Sequence, residues 1–204
     1  SYLKGIARGC DAVGIFHEQF VLPADATQSQ LEETLERLNR NDRFHGIILQ
    51  LPLPRHIDAL RAESAIAPEK DIDGTNPVSA GKLLLGEKTF LPSTAHGVQE
   101  LLVRSGHSPD GLHVVICGRS NIVGKPLAAI LMQKQRGANA TVTVCHTGTT
   151  NMSSFTRSAD IVVAAMGRPG SITADMVRPG AVVIDVGVNQ IDDPGTGKPR
   201  LVGD

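Results

Sequence analysis

Four short runs in the second half of the chain, HVVICG, ATVTVC, DIVVAAMG and AVVIDVG, restrict its fold more than any other feature. Each is rich in β-branched residues, has strand length, and closes on a glycine, a cysteine or another small residue. Stretches of helical character separate the first three, over 126–133 and 153–157, and Met176 lies in a short segment before the fourth. Parallel strands need long crossovers, so this alternation predicts an α/β fold with a parallel, doubly wound sheet. Ligands of such sheets sit beyond the C-terminal ends of the strands. The first half is less regular. A helix is expected through Val13 with Gly14 as its stop, then an apolar strand over 15–22. Thr27 suits the cap of a further helix, which carries Leu31, Leu35 and Leu38 on one stripe. HGIILQLPLP reads as a strand buried on both faces, with Gln50 at its C-terminal end. A helix near 57–66 and the polar turn PEKDIDGTNP follow, and PGTGKPR near the end reads as a surface hairpin or loop.

A chain of 204 residues can bury a real core, as one domain or two small lobes. A formal charge of −1 gives no basic field, and one tyrosine with no tryptophan leaves little to stack on bases. Both count against a nucleic-acid partner. No apolar run is long enough to span a bilayer and no signal peptide is visible, so no membrane partner is expected. Cys10, Cys117 and Cys145 have neither CxxC nor zinc spacing, and the histidines show no ligand spacing. Reduced thiols, a cytoplasmic protein and no metal site are the expectation.

The strand HVVIC runs into GRSNIVGKPLAAILM, with Gly118 at the strand-to-helix turn and Gly124 near the helix start. Ser120 takes the place of the second glycine of GxGxxG. Main-chain N–H groups at the helix start still face an anion there, and Arg119 adds a fork of donors. A cation favours NADP over NAD, and the next strand ends in His146 and Thr147, both able to donate to a phosphate, rather than in an acid. Taken alone, GRS is equally a tight turn with a surface arginine. Gly167 and Gly187, which end the following strands, tilt the balance toward a dinucleotide. Elsewhere, Gln50 interrupts an apolar run and calls for a partner. Asp71 and Asp73 flank Ile72 in KDIDG, although an isolated DxDG favours a solvated turn, and Lys70 beside them suits a weak ion pair. His96 suits a polar site in the first turn of a helix capped by Ser93 or Thr94.

Together, YLKGIARGCDAVGI, GIILQLPLP, PEKDIDG, NPVSAGKL, LPSTAHGV, GRSNIVGKP, ATVTVCHT and GAVVIDVGVN closely resemble the methylenetetrahydrofolate dehydrogenase/cyclohydrolase family. The resemblance runs through nearly the whole chain. It implies two α/β lobes: a folate-binding lobe over 1–76 and a doubly wound, Rossmann-type NADP-binding lobe over 77–204. It also implies tetrahydrofolate one-carbon derivatives as substrates and a homodimer paired through the nucleotide-binding lobes. By carry-over, Tyr2 stacks on the folate, Asp73 hydrogen-bonds its pterin-like ring and Gln50 supports the catalytic centre. Arg119, Ser120 and Thr147 hold the nucleotide phosphates, while Gly118 and Val188 pack on the nucleotide through their backbones.

The chain departs from the family pattern at one position above all. The family has tyrosine, three residues, then the lysine central to hydrolysis; here Ile6 stands in that place. Lys4 is two residues from Tyr2, and residues so spaced point in nearly opposite directions on a helix. The expectation is an NADP-dependent oxidation of 5,10-methylenetetrahydrofolate with the cyclohydrolase weak or lost. A bifunctional enzyme, a non-catalytic folate- or nucleotide-binding protein and a generic Rossmann oxidoreductase are the alternatives. Ser93 and Ala95 depart from the P-C-T-P form of their turn, with no loss attached to either. Family members carry further structure before SYLKGI and a glycine-proline loop after VGD, so the sequence is expected to be a fragment or an incomplete record; as the true polypeptide it would leave the substrate lobe without strands and with an exposed apolar edge.

Overall fold

In the computed structural model all residues are described except Ser1, Pro194 and Thr196, with Tyr2 described for its backbone alone. The four β-branched runs form β1 (His113–Cys117), β2 (Thr141–Cys145), β3 (Ile161–Ala164) and β4 (Val182–Asp185) of one parallel sheet. Its strand order is β2-β1-β3-β4, with Val114 beside Val142 and Ile161, and Ala164 beside Asp185. The central strands β1 and β3 are buried almost throughout, while the edge strands β2 and β4 are only part-covered. That difference follows from composition: unbroken VVI and IVV runs can lie between two layers, whereas TVTV alternates.

Alternation along each strand assigns the two faces. Val114, Ile116, Ile161 and Val163 pack with α5 (Ser93–Arg104) and α6 (Gly124–Leu131) through Ala95, Val98, Leu102, Leu127 and Leu131. Val115, Cys117 and Val162 face the opposite way, against Met152 of α7 (Met152–Ser158), Ala159 and Ile172. Helices therefore cover both faces, as a doubly wound sheet requires. A single 3₁₀ turn, Ala174–Met176, precedes β4. The expected hairpin near the end is β5 (Asn189–Asp192) paired antiparallel with β6 (Pro199–Val202).

The first half has a separate apolar cluster of Leu31, Leu35, Leu38, Ile47, Ala62 and Ile66. α1 (Tyr2–Val13) stops at Gly14, whose φ of 73° suits a residue without Cβ. α2 (Gln28–Asn39) begins with a full capping box: Thr27 accepts from the Gln30 N–H, and the Gln30 side chain accepts from Thr27. α3 (Ala59–Ser64), capped by Asp58, is shorter at both ends than expected, and α4 (Pro77–Leu85) is capped by Asn76.

Two expected strands are not strands. Residues 15–22 run without a ladder, and Ile15, Phe16 and Val21 are exposed. β propensity needs a neighbouring strand to act on, and among the described residues none pairs with this segment. In HGIILQLPLP only Ile47 forms a bridge, parallel to Asp71, and Ile48 is exposed. Lys70 was expected in a weak ion pair. Instead its ammonium donates to the carbonyls of Leu38, Asn39 and Asn41 at 3.3, 2.6 and 3.0 Å. It sits at the C-terminal end of α2, where the Asn39 carbonyl and the helix dipole favour a cation, while Leu38 O and Asn41 O also accept backbone N–H groups.

Candidate active site

The C-terminal ends of β1, β2 and β3 meet at the turn after β1. Gly118 donates its N–H to Cys145 O at 2.8 Å and has a φ of 141°, outside the range of ordinary L residues. A Cβ there would overlap the carbonyl oxygen of Ala165, just past β3. Gly124, the first residue of α6, lies so close to Gly118 O that it too has no room for a side chain. The two glycines thus bring the turn, the helix start and the β3 end into direct contact.

Ser120 closes the turn from within, its Oγ accepting the Val123 N–H at 3.1 Å. A hydroxyl that accepts keeps its own proton for donation, so this bond is compatible with holding an anion. Arg119 is exposed, and its Nη1 lies 3.4 Å from His146 Nε2, at the end of β2. The Nδ1 atom of His146 faces the Gly148 N–H at 3.0 Å. Both ring nitrogens therefore point at N–H donors, and a neutral imidazole can accept at only one of them. Accepting from Gly148 leaves Nε2–H and the guanidinium as two donors facing each other. Such a pair calls for a shared acceptor, and a phosphate oxygen is the fitting chemistry. Thr147 is exposed beside them, and Val188 is 75% exposed beyond β4. The donor set and the glycine turn fit a phosphorylated dinucleotide.

Thiol chemistry does not fit the same spot. Cys117 and Cys145 are cross-strand partners and buried. Burial, then the neighbouring Cys145, push the Cys117 thiol up to about 12; burial also raises Cys145. Neither carries a reactive thiolate at neutral pH.

The polar residues of the first half fall into separate roles. Asp71 is buried and accepts the N–H groups of Thr75 (3.1 Å) and Asn76 (2.9 Å), so it builds its own turn. Asp73 is half-buried and accepts from Ser93 Oγ at 3.0 Å. Gly74 beside it packs so tightly that a Cβ would come within 2.7 Å of Phe90 O. Ser93 does not cap α5, contrary to expectation: the helix begins at Ser93 itself, after Pro92, with no side-chain cap. Its hydroxyl goes to Asp73 instead, a role no local signal announces. His96 lies 3.7 Å from Glu100, which also pairs with Arg104. Gln50 was expected in a buried strand, where it would need a partner. It is exposed, with Nε2 donating to the adjacent Leu51 O at 2.7 Å, because the run around it is not a buried strand. On α1, Ile6 is half-buried and Lys4 exposed; the ring of Tyr2 lies outside the described residues. No hydrogen bond among the described residues joins Gln50 or Asp73 to the Gly118 turn.

No helix among the described residues is long and apolar enough to cross a membrane, and no group of three His, Cys, Asp or Glu there suits a metal ion.

The chain matches two family models: tetrahydrofolate dehydrogenase/cyclohydrolase, catalytic domain, over residues 1–73, and tetrahydrofolate dehydrogenase/cyclohydrolase, NAD(P)-binding domain, over residues 92–204. It is 54% identical to the bifunctional protein FolD of Dehalococcoides mccartyi, matching along all of this chain and 69% of that protein. The crystal structure of the bifunctional FolD enzyme of Campylobacter jejuni superposes with a TM-score of 0.92 at 40% identity, covering 100% of this chain and 69% of that one. The Trypanosoma brucei methylenetetrahydrofolate dehydrogenase-cyclohydrolase, solved in complex with NADP cofactor and inhibitor, gives 0.90 at 41% identity with the same coverage.

Proposed function

Because the chain belongs to the tetrahydrofolate dehydrogenase/cyclohydrolase family, we propose that it oxidises 5,10-methylenetetrahydrofolate to the 5,10-methenyl compound with NADP, and that its cyclohydrolase is weak or lost. Bound NADP supplies the hydride acceptor. The two reactions ask different things of the protein. In oxidation the substrate's own nitrogen lone pair expels the hydride, so the protein mainly orients the reactants. Tyr2 stacks on the folate, Asp73 holds its ring and Gln50 supports the reacting centre. Arg119, Ser120 and Thr147 bind the phosphates, with Gly118 and Val188 against the nucleotide. In this reading residues 1–76 serve the folate and 77–204 the nucleotide, in a homodimer paired through the nucleotide-binding parts.

Hydrolysis needs water activated and a proton moved, and a hydrocarbon side chain can do neither. The observation that carries the reading is Ile6. α1 is one unbroken helix from Tyr2 to Val13, so nothing in its register lets Lys4 take over position 6. Losing such acid–base help costs about 10²- to 10⁴-fold in rate. A second reading, with both activities kept, is favoured by the 54% identity to a protein named as bifunctional. NADPH formation from methylenetetrahydrofolate, followed at its absorbance, tests the shared part. Absence of turnover with that substrate would refute both readings.

A further inference from the structure

We propose that Asp204 is a positioning residue for the nucleotide site: its carboxylate holds the segment after β3 against the phosphate-binding turn. The inference rests on the NADP reading above and extends it to a group far from the turn in sequence. The Asp204 carboxylate accepts the N–H groups of Met166, Gly167 and Arg168 at 2.5, 2.9 and 2.9 Å. It also accepts from Asn189 Nδ2, on β5, at 2.8 Å. Its own backbone is tied down as well, with its N–H on Asp185 Oδ1 at 3.1 Å and its carbonyl accepting from Ile172 at 3.0 Å. Gly187 makes this possible, because a Cβ there would overlap the carboxylate.

Three successive N–H groups converging on one point form an anion-binding concavity. Here a side chain of the same protein fills it. Burial raises the Asp204 carboxyl, but the hydrogen bonds from Asn189, Gly167, Met166 and Arg168 outweigh it and hold the group below the usual range. The concavity is therefore neutralised from within, which leaves the phosphates to the Gly118–Ser120 turn. The path to that turn is short. Ala165, directly before the pinned residues, donates to Cys117 O at 2.8 Å, and its carbonyl fills the space a Gly118 side chain would need. Asp204 thus fixes residues 166–168, these fix Ala165, and Ala165 bounds Gly118.

The test compares Asp204→Asn and Asn189→Ala with the wild type, using NADP affinity by calorimetry, KM for each substrate and the melting temperature. Asp204→Asn turns an amide toward N–H donors and is expected to weaken NADP binding by about 10- to 100-fold. Asn189→Ala removes one of the four donors and is expected to cost roughly 3- to 10-fold. In both, KM for methylenetetrahydrofolate stays within about twofold, a split that general loss of folded protein does not produce. Unchanged NADP affinity in folded Asp204→Asn overturns the proposal, as does a parallel rise in both KM values. If Asp204→Asn fails to fold, Asn189→Ala decides, and wild-type NADP affinity there overturns it. A wild-type protein that binds NADP without oxidising methylenetetrahydrofolate sinks the proposed reaction and leaves the calorimetric and melting comparison to decide this one; one that does not bind NADP overturns both.

Discussion

Replacing Arg119 with alanine takes away the guanidinium at the proposed phosphate turn and leaves its fold in place, because among the described residues no main-chain contact of the turn depends on that side chain. The size of the effect follows from charge and exposure. A guanidinium about 4 Å from a phosphate of charge near −2 gains roughly 2 kcal/mol at the dielectric of water, and more where water is excluded. Arg119 is exposed, so the low figure applies. It corresponds to a fall of about 30-fold in kcat/KM for NADP, within the range of one charge-assisted hydrogen bond. NAD lacks the 2′-phosphate, so its kcat/KM should change by less than about twofold if the guanidinium reads that group. Salt adds a second signature: wild-type KM for NADP rises with ionic strength, and the variant's rises less. The assay is steady-state NADPH and NADH formation from methylenetetrahydrofolate across both cofactors and several salt concentrations. An NADP-to-NAD ratio unchanged by Arg119→Ala would refute the reasoning, whatever the loss in absolute rate.

Three further substitutions probe other contacts. Gly118→Ala forces a Cβ onto Ala165 O at a φ that alanine avoids, and a shift of about 1 Å at the turn should cost on the order of 10²-fold in kcat/KM for NADP; near-normal kinetics would mean the turn gives way freely. Lys70→Met keeps the alkyl stem but removes the donor to Asn39 O, while Leu38 O and Asn41 O keep the N–H groups of Asn41 and Phe44, so urea unfolding should show about 1–3 kcal/mol less stability. Stability equal to wild type would show that water replaces the ammonium without loss. Ser93→Ala removes the donor to Asp73 at a solvent-accessible site, and KM for methylenetetrahydrofolate should rise about 3- to 10-fold while KM for NADP holds. Restoration by Ser93→Thr would tie the effect to the hydroxyl, whereas an unmoved folate KM would remove Ser93 from the substrate's surroundings.

What the sequence made legible was whatever is encoded locally. The VVI and IVV runs announce buried strands because burial on both faces demands unbroken apolar side chains, and β1 and β3 are those strands. Thr27 and the leucine stripe of α2 are readable for the same reason, since cap and face lie within a few residues of each other. Residues 15–22 have the same composition as a strand but no ladder, because pairing belongs to the neighbour and not to the segment. Gly118 was legible as a tight strand-to-helix turn from its place between strand and helix. The contacts that hold the site were not. Lys70 reaches carbonyls about thirty residues away, Ser93 turns from its own helix to Asp73, and Asp204 clasps residues 36 to 38 positions earlier. Such bonds arise only once the elements are packed, and no spacing rule points to them.

The central claim is that the two chemistries have come apart at position 6, and assaying both on wild type and Ile6→Lys in parallel tests it most directly. Wild-type protein is expected to form NADPH from methylenetetrahydrofolate yet clear the methenyl compound hardly faster than buffer, and Ile6→Lys to gain about 10²- to 10⁴-fold in hydrolysis. Wild-type hydrolysis far above buffer, or an Ile6→Lys variant that gains none, would contradict it.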